Sequence, residues 1–340
     1  MRDMLIMEDT VRECSSSSGR RRICIGTITR GRPMMLRDLL ASYVEMHVPA
    51  NVYLHFIIVE NNDSPTLQDI IGEFGEQMPQ WAIQYEVEPR LGIAFARNHV
   101  LENALAANGD LLTFADDDEV VAADWLTQLL AERDSSDLDI LGSPVRFAPP
   151  PLDISVWKRA IWSGMNKVNR TSESKALRNH SMGKSDRIRL ATGSWMGNLE
   201  FFRRTGLRFD NSLGLAGGED WQLWLEAKRL GANTGWAPGA IVFETVPADR
   251  LTLHYQYRRS RDHSIIALRR KLESKPMMAS VQLAGSIAGR LARLLFYVLA
   301  APFTGGKTLV RAASCLGSIV GLMQACLGKA SSHYERVHGS

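Results

Sequence analysis

Along the first third of the chain, short β-branched apolar runs alternate with longer stretches in which apolar residues recur at helical spacing, the signatures of strand and helix. RICIGTITR (22–30) reads as a strand, and the RGRP closing it puts Pro33 in the first turn of a helix continuing as MMLRDLLASYVEMH, a position where a missing N–H is tolerated. YLHFIIVENND (53–63) repeats the pattern, a buried strand ending in Glu60, Asn61, Asn62 and Asp63 before a helix from about Ser64-Pro65. IQYEVEP is a third strand, and GIAFARNHVLENALAANG is a helix closed by Asn108-Gly109. LLTFADDDEV (111–120) supplies a fourth strand, LLTFA, with the acids at its end and VVAADWLTQLLAER as the following helix. Such alternation predicts an α/β fold with a mostly parallel, Rossmann-like central sheet and helices on both faces. In these sheets ligands bind outside the carboxyl ends of the strands, which places Thr27 to Arg30, Glu60 to Asp63 and Asp116 to Asp118 along one edge.

Beyond Pro149-Pro150-Pro151 the alternation stops. Residues 152–190, rich in Lys, Arg, Ser and Asn, read as a long loop or short helices over that edge. GSWMGNLEFFRRTG (193–206) resumes as strand and helix, and GLAGGEDWQLWLEAKRLG (214–231) is a glycine-rich loop running into an amphipathic helix at Glu219-Asp220. Two apolar stretches close the chain, 286–303 and 312–328. Both fall short of the roughly 20 uninterrupted apolar residues that span a bilayer, and Arg290 and Arg293 interrupt the first. Amphipathic helices lying on a membrane surface are expected there.

Composition changes little in this picture. The 340 residues are 45% hydrophobic and 23% charged with a net charge of +3, ordinary values for a soluble globular protein, and no nucleic-acid partner is expected. The charge is uneven, however: from Leu251 to Ser340 there are 13 Lys and Arg against 3 Asp and Glu, an excess suited to anionic lipid. Cys14, Cys24, Cys315 and Cys326 show no CxxC spacing, so neither a zinc site nor a disulfide framework is indicated. The leading residues, ending SSSSGRRR, lack an apolar run of signal-peptide length and are expected to be disordered.

The adjacent carboxylates Asp116, Asp117, Asp118 and Glu119 admit several chemistries besides a solvated turn. A calcium loop of the EF-hand type needs glycine at its sixth position, which here is Val121, so that reading fails. FADDDEV fits the DxDx(T/V) of a haloacid-dehalogenase-type phosphatase, with Asp116 as nucleophile and Asp118 as acid, although later motifs of that class have no convincing partner. The third reading is a divalent-metal site for a nucleotide diphosphate, since hard oxygen ligands suit Mg²⁺ or Mn²⁺ and a cation relieves the mutual repulsion. The later pair Glu219-Asp220 has an ordinary use as a helix cap that complements the dipole.

Taken in order, TITRGRP, VENND, RLGIAFARN, FADDDE and GGEDW make residues 22 to about 265 resemble family 2 of the inverting glycosyltransferases, with the GT-A fold. Within it the likeness is to bacterial exopolysaccharide glucosyltransferases of the succinoglycan type. The resemblance implies a nucleotide-binding half (22–125), an acceptor half (126–265) and a membrane-associating helical tail (266–340). It also implies transfer of one sugar from a nucleotide-diphosphate sugar, a UDP-hexose, to a growing, lipid-linked glycan on the inner face of the plasma membrane. Thr27, Arg30 and Arg32 would border the nucleotide, Glu60 the uracil or ribose, and Arg97 with Asn98 the nucleotide or its sugar. Asp118 and Asp116 would bind the metal, Asp116 also facing the nucleotide, while Asp117 has no assigned part. Asp220 would be the base and Glu219 an acceptor-binding neighbour, with Gly217 and Gly218 allowing close backbone approach. Arg258, Arg261 or His263 would reach the diphosphate, and His254 or His263 would complete a metal shell. The segment YQYRRSRDHS lacks the tryptophan of the processive members' QxxRW, having Ser260 after Gln256 and Arg259, which implies single-sugar addition. A catalytically silent, sugar-nucleotide-binding subunit is the competing class.

Overall fold

A computed structural model describes residues 19–190, 193–213, 218–274 and 276–327. Most of the expected disordered lead, and Gly217 of the glycine loop, lie outside the described residues. The first half follows the apolar pattern: β1 (Arg21–Thr29), α1 (Pro33–Val44), β2 (Val52–Glu60), α2 (Gln68–Gln77), β3 (Ala82–Val87), α3 (Ile93–Ala106) and β4 (Leu111–Phe114). Next come β5 (Glu119–Val121), α4 (Trp125–Ser136), β6 (Ile140–Gly142), β7 (Val145–Phe147), α5 (Val156–Ser181), β8 (Trp195–Asn198) and α6 (Leu199–Thr205). The chain continues through α7 (Glu219–Arg229), β9 (Thr234–Trp236), β10 (Val242–Glu244), α8 (Leu253–Ser274), α9 (Pro276–Leu299) and α10 (Leu309–Cys326).

Three expectations are corrected. Helix α2 starts at Gln68 rather than near Ser64-Pro65, because the Glu60 carboxylate accepts the N–H (2.8 Å) and hydroxyl of Thr66 and fixes the intervening turn. The VVAA stretch does not open a helix: Glu119–Val121 is a strand, paired antiparallel with Glu244–Val242. Its partner lies far along the chain, so local periodicity carries no sign of it. Residues 152–190 contain one helix of 26 residues, α5. Ser155 caps it by accepting from the Lys158 N–H at 3.3 Å, and Ile161, Gly164 and Met165 turn inward at helical spacing. The Lys, Arg, Ser and Asn that suggested a loop are largely its solvent side.

The main sheet has the order β3-β2-β1-β4-β8-β6-β9, parallel except that β8 runs against both neighbours. A smaller sheet, β5-β10-β7, stands beside it. From β1 the chain builds outward to β2 and β3, then returns to β1's other side with β4, which makes the β1/β4 boundary the topological switch point where a crevice opens. Register sets the rim, since Thr29 lies opposite Glu60 and β4 ends level with Gly26. Asp116 to Asp118 therefore emerge beside Thr29.

Two apolar layers clamp the sheet. On one face Leu36, Leu39 and Tyr43 of α1, Phe74 of α2 and Leu126 and Leu129 of α4 pack over Ile23, Ile25 and Phe56. On the other, Val100 and Leu101 of α3, Phe202 of α6 and Leu223 of α7 cover Leu112, Phe114 and Trp195, the last two stacked at 5.1 Å. Each such side chain contributes roughly 1.5–3 kcal/mol when fully buried, so the layers, more than the three- and four-residue strands, hold the rim in place. Helix α8 runs unbroken across residue 265, the expected limit of the catalytic region. Helix α10 doubles back onto it, Ile265 and Leu268 meeting Leu322 and Ala325.

Candidate active site

The crevice at the β1/β4 boundary is a cleft of about 220 Å³ lined from both sheets and three helices. Its floor is the acidic run. Asp117 turns inward, one carboxylate oxygen accepting from Thr29 Oγ1 and the other from Arg32 Nη1, both at 2.8 Å. Burial pushes its carboxyl up to about 6, against the pull of Arg32. Asp117 is thus the rivet joining β4 to the end of β1, a part unassigned at the level of sequence.

Asp118 faces the cleft, its Oδ2 accepting from Arg32 Nη1 at 3.1 Å and from Arg250 Nη1 at 3.3 Å. Asp116 Oδ1 accepts from Arg97 Nη2 at 2.9 Å, and its N–H donates to Glu119 Oε2 at 2.9 Å. Glu119 is buried, and burial followed by the charges of Asp116 and Asp118 holds its carboxyl well above the usual range. Its head group occupies the space where any side chain at Gly193 would stand, so the glycine there is a requirement of shape.

Arg97 ties the two acidic motifs together. Only 2% exposed, it donates through Nη1 to Glu219 Oε1 at 3.0 Å and to Asp220 Oδ1, and through Nη2 to Asp116. Its guanidinium also lies within 6.0 Å of the Phe114 and Phe209 rings. Glu219 and Asp220 open α7, where free N–H groups favour negative charge, and Gly218 precedes them at φ 87°. One guanidinium is thus shared by three carboxylates. Burial raises the Asp220 carboxyl most, Arg97 opposes it and Glu219 adds to it, leaving it at about 8. Asp220 Oδ2 is buried and has no hydrogen-bond partner among the described residues.

Of the expected site residues, Arg30, Arg32, Arg97, Asp116, Asp118 and Glu219 line this one cleft, and Asp220 lies against it through Arg97. Others are engaged elsewhere. Thr27, fully buried one pleat below the rim, shares a hydrogen bond with the Tyr43 hydroxyl at 3.1 Å. The Glu60 carboxylate accepts from Thr66, Asn62 and Tyr85; burial works to raise it, yet these bonds leave it below its ordinary range. Asn98 clasps the backbone of Phe209 in both directions, at 2.8 and 2.9 Å. Each of the three holds the scaffold instead of facing the cleft. In α8, the side chains on the cleft wall are Tyr255 and Arg259. Arg261 pairs with Asp262 at 2.9 Å, His254 stacks on Tyr257 in solvent, and Arg258 and His263 are outside the cleft lining. Gln256 is buried, its amide 3.2 Å from Met165 Sδ.

Sequence reasoning gave Glu119 no role of its own and missed Glu244 and Arg250. Glu244 lines the cleft, its carboxyl raised to about 7 chiefly by burial and next by the Asp118 charge. A signal existed: IVFE repeats the apolar run ending in a carboxylate already seen at Glu60 and Asp116. Arg250 had none, because only the fold brings it to Asp118.

Residues 28–262 match the family model described as glycosyltransferase like family 2. The succinoglycan biosynthesis protein ExoM of Rhizobium meliloti (strain 1021) is 28% identical over 313 residues, covering 88% of this chain and 93% of ExoM. Among solved structures, the mannosyltransferase PcManGT from Pyrobaculum calidifontis, in complex with GDP-Man and Mn²⁺, superposes with a TM-score of 0.57 at 17% identity, covering 92% of this chain and 89% of that one. TarS of S. aureus gives a TM-score of 0.50 at 12% identity over 87% of this chain, which spans 55% of TarS. At such identities the likeness to both structures is one of fold.

Proposed function

Because the chain belongs to the glycosyltransferase like family 2, we propose that its cleft transfers one sugar, with inversion, from a nucleotide-diphosphate donor such as a UDP-hexose to a growing exopolysaccharide. That the enzyme is a transferase with a GT-A fold follows from the family and the fold; the donor, acceptor and residue roles are the proposal. The observation that carries it is Arg97, which brings the DDD run at the end of β4 and the Glu219-Asp220 pair of α7 into one buried network.

The donor set fits a hard divalent cation. The residues that would hold it are carboxylates, hard oxygen donors, and among the described residues no group of three or more His, Cys, Asp or Glu is arranged to hold a metal ion. One or two carboxylates suffice for Mg²⁺ or Mn²⁺, which complete their shell with water and phosphate oxygens. Asp118 and Asp116 would hold it, and when bound it offsets the negative charge that builds on the departing diphosphate. Arg30, Arg32, Arg250 and Arg259 line the same space and supply charge-assisted donors to phosphate oxygens.

Asp220 is the base. Arg97 holds Oδ1, while Oδ2 has no partner among the described residues and takes the acceptor hydroxyl proton as that oxygen bonds to the anomeric carbon. The bond from carbon to the diphosphate oxygen breaks, and its electron pair leaves with the nucleotide. Arg97 and Glu219 position Asp220. Similarity to ExoM along nearly its full length supports an exopolysaccharide as product, with a lipid-linked oligosaccharide as acceptor at the cytoplasmic face of the membrane.

The family match sets aside the phosphatase, which needs Asp116 to attack phosphorus. The silent-subunit reading is countered by the co-assembly of carboxylates, arginines and a buried acid. Incubation of the purified protein with a panel of nucleotide sugars tests the proposal by release of nucleoside diphosphate, expected to stop with EDTA, with Asp118→Ala and with Asp220→Asn. Release by either variant at the parental rate would refute the assigned roles.

A further inference from the structure

At the turn joining α9 to α10, Leu295, Phe296, Leu299 and Phe303 stand 64% to 90% exposed. The first turn of α5 adds Val156, 86% exposed, and Trp157, whose ring lies against Gly306 of that same turn. The attachment continues inward, for the backbone of Gly164 in α5 abuts Lys307, and Ile161 and Met165 share a buried cluster with Val310. The start of α5 is thus fixed beside the α9–α10 turn, which brings apolar segments far apart in sequence to one end of the molecule. Arg290 and Arg293 on α9, Lys307 in the turn and Arg311 on α10, over the Tyr297 ring, belong to the same segment, and from Pro276 to Leu327 the sequence has no acidic residue. An apolar face whose surround is mainly basic, with Lys158 and Arg159 following Trp157 and Asp153 as the acid beside them, is complementary to an anionic lipid surface.

Helix α10 is long and apolar enough to cross a membrane by length and composition, but its packing argues against a span. Gly317 and Gly321 press directly onto the backbone of Tyr257 and Arg261 in α8, leaving no room for a β-carbon. Alongside, α8 carries Arg258, Arg259, Arg261, Asp262 and Arg269, and hydrocarbon around α10 would have to take in those charges at high cost. We propose that the α9–α10 turn and the start of α5 together form a docking face that lies shallowly in the surface of an anionic bilayer. The inference rests on the reading of a lipid-linked acceptor and adds how the enzyme is held above it. Since α8 meets α10 through Tyr257 and Arg261 and the cleft through Tyr255 and Arg259, one rigid helix sets the height of the cleft over the lipid.

Flotation of the full chain with vesicles tests this, comparing phosphatidylcholine alone with phosphatidylcholine plus phosphatidylglycerol. The parent is expected to float with the anionic vesicles only, and less so in high salt. Phe303→Asp and, independently, Val156→Asp should each lower the bound fraction about tenfold or more, because a charge replaces buried apolar area; Arg290→Gln with Arg293→Gln should weaken binding to anionic vesicles. Melting temperature and donor-dependent diphosphate release in solution, equal to the parent's, establish that the variants are folded. Equal flotation on both lipids, no flotation at all, or unchanged flotation of Val156→Asp would overturn the docking face. Those results leave the glycosyl-transfer reading intact, whereas absent diphosphate release with normal flotation would sink that reading alone.

Discussion

Arg97 is the residue on which both acidic motifs depend. Breaking a buried pair by removing one partner strands uncompensated charge, so Arg97→Met should destabilise the protein by about 3–5 kcal/mol, measured by urea unfolding; a loss below that of an ordinary surface substitution would contradict the network. Asp220 depends on the same contact for its titration. As the proposed base its carboxyl must be ionised to accept a proton, and burial holds it up to about 8, so kcat/KM should rise with pH toward that value, while Asp220→Asn should remove about 10²- to 10⁴-fold of rate. Stability runs the other way. The folded chain binds that proton more tightly than the unfolded chain, so ligand-free protein should lose stability as pH climbs from the ordinary carboxylate range through about 8. A melting temperature that increases over that interval would remove the assignment.

Elements decide what the residues can reach. In β5, three residues paired with β10 aim Glu119 beneath Asp116 and bring Glu244 to the same wall. Helix α10 depends on glycine in the same strict way, because Gly317 sits on the Tyr257 carbonyl. Gly317→Val should therefore cost about 1–3 kcal/mol through overpacking, read as a lower melting temperature, with Gly285→Val as a control where a β-carbon meets nothing nearby. Equal effects of the two substitutions would mean that α10 is not docked as described.

For the molecule as a whole, the cleft sets Asp116, Asp117, Asp118, Glu119, Glu219 and Glu244 against five arginines, of which Arg32, Arg97 and Arg250 pair with them. Ligand-free, those pairs offset one another; under the proposed reading, arginine would turn to phosphate and carboxylate to metal when a nucleotide diphosphate and a cation bind. Mn²⁺ with UDP, each at about a hundredfold excess over its Kd, should stabilise the fold by at least about 2.7 kcal/mol, checked by thermal denaturation. Asp118→Ala should abolish the Mn²⁺-dependent part.

The sequence by itself determined the α/β alternation, the sheet edge that carries the site and the two acidic motifs, since strand and helix periods and strand-end carboxylates are local patterns. It assigned Thr27, Glu60 and Asn98 to the nucleotide, whereas their side chains bond within the scaffold, because alternation along a strand tells which residues share a face but not what each one meets there. Asp117 and Arg250 took their places only through tertiary structure, and Glu244, whose strand-end position was legible, met its neighbours only there, their partners lying across a sheet or more than a hundred residues away. The same holds for the C-terminal helices. Composition marked them as apolar and basic, but packing of glycine against α8 decided that they stay with the catalytic body, because close backbone contact depends on shape and not on hydrophobicity alone.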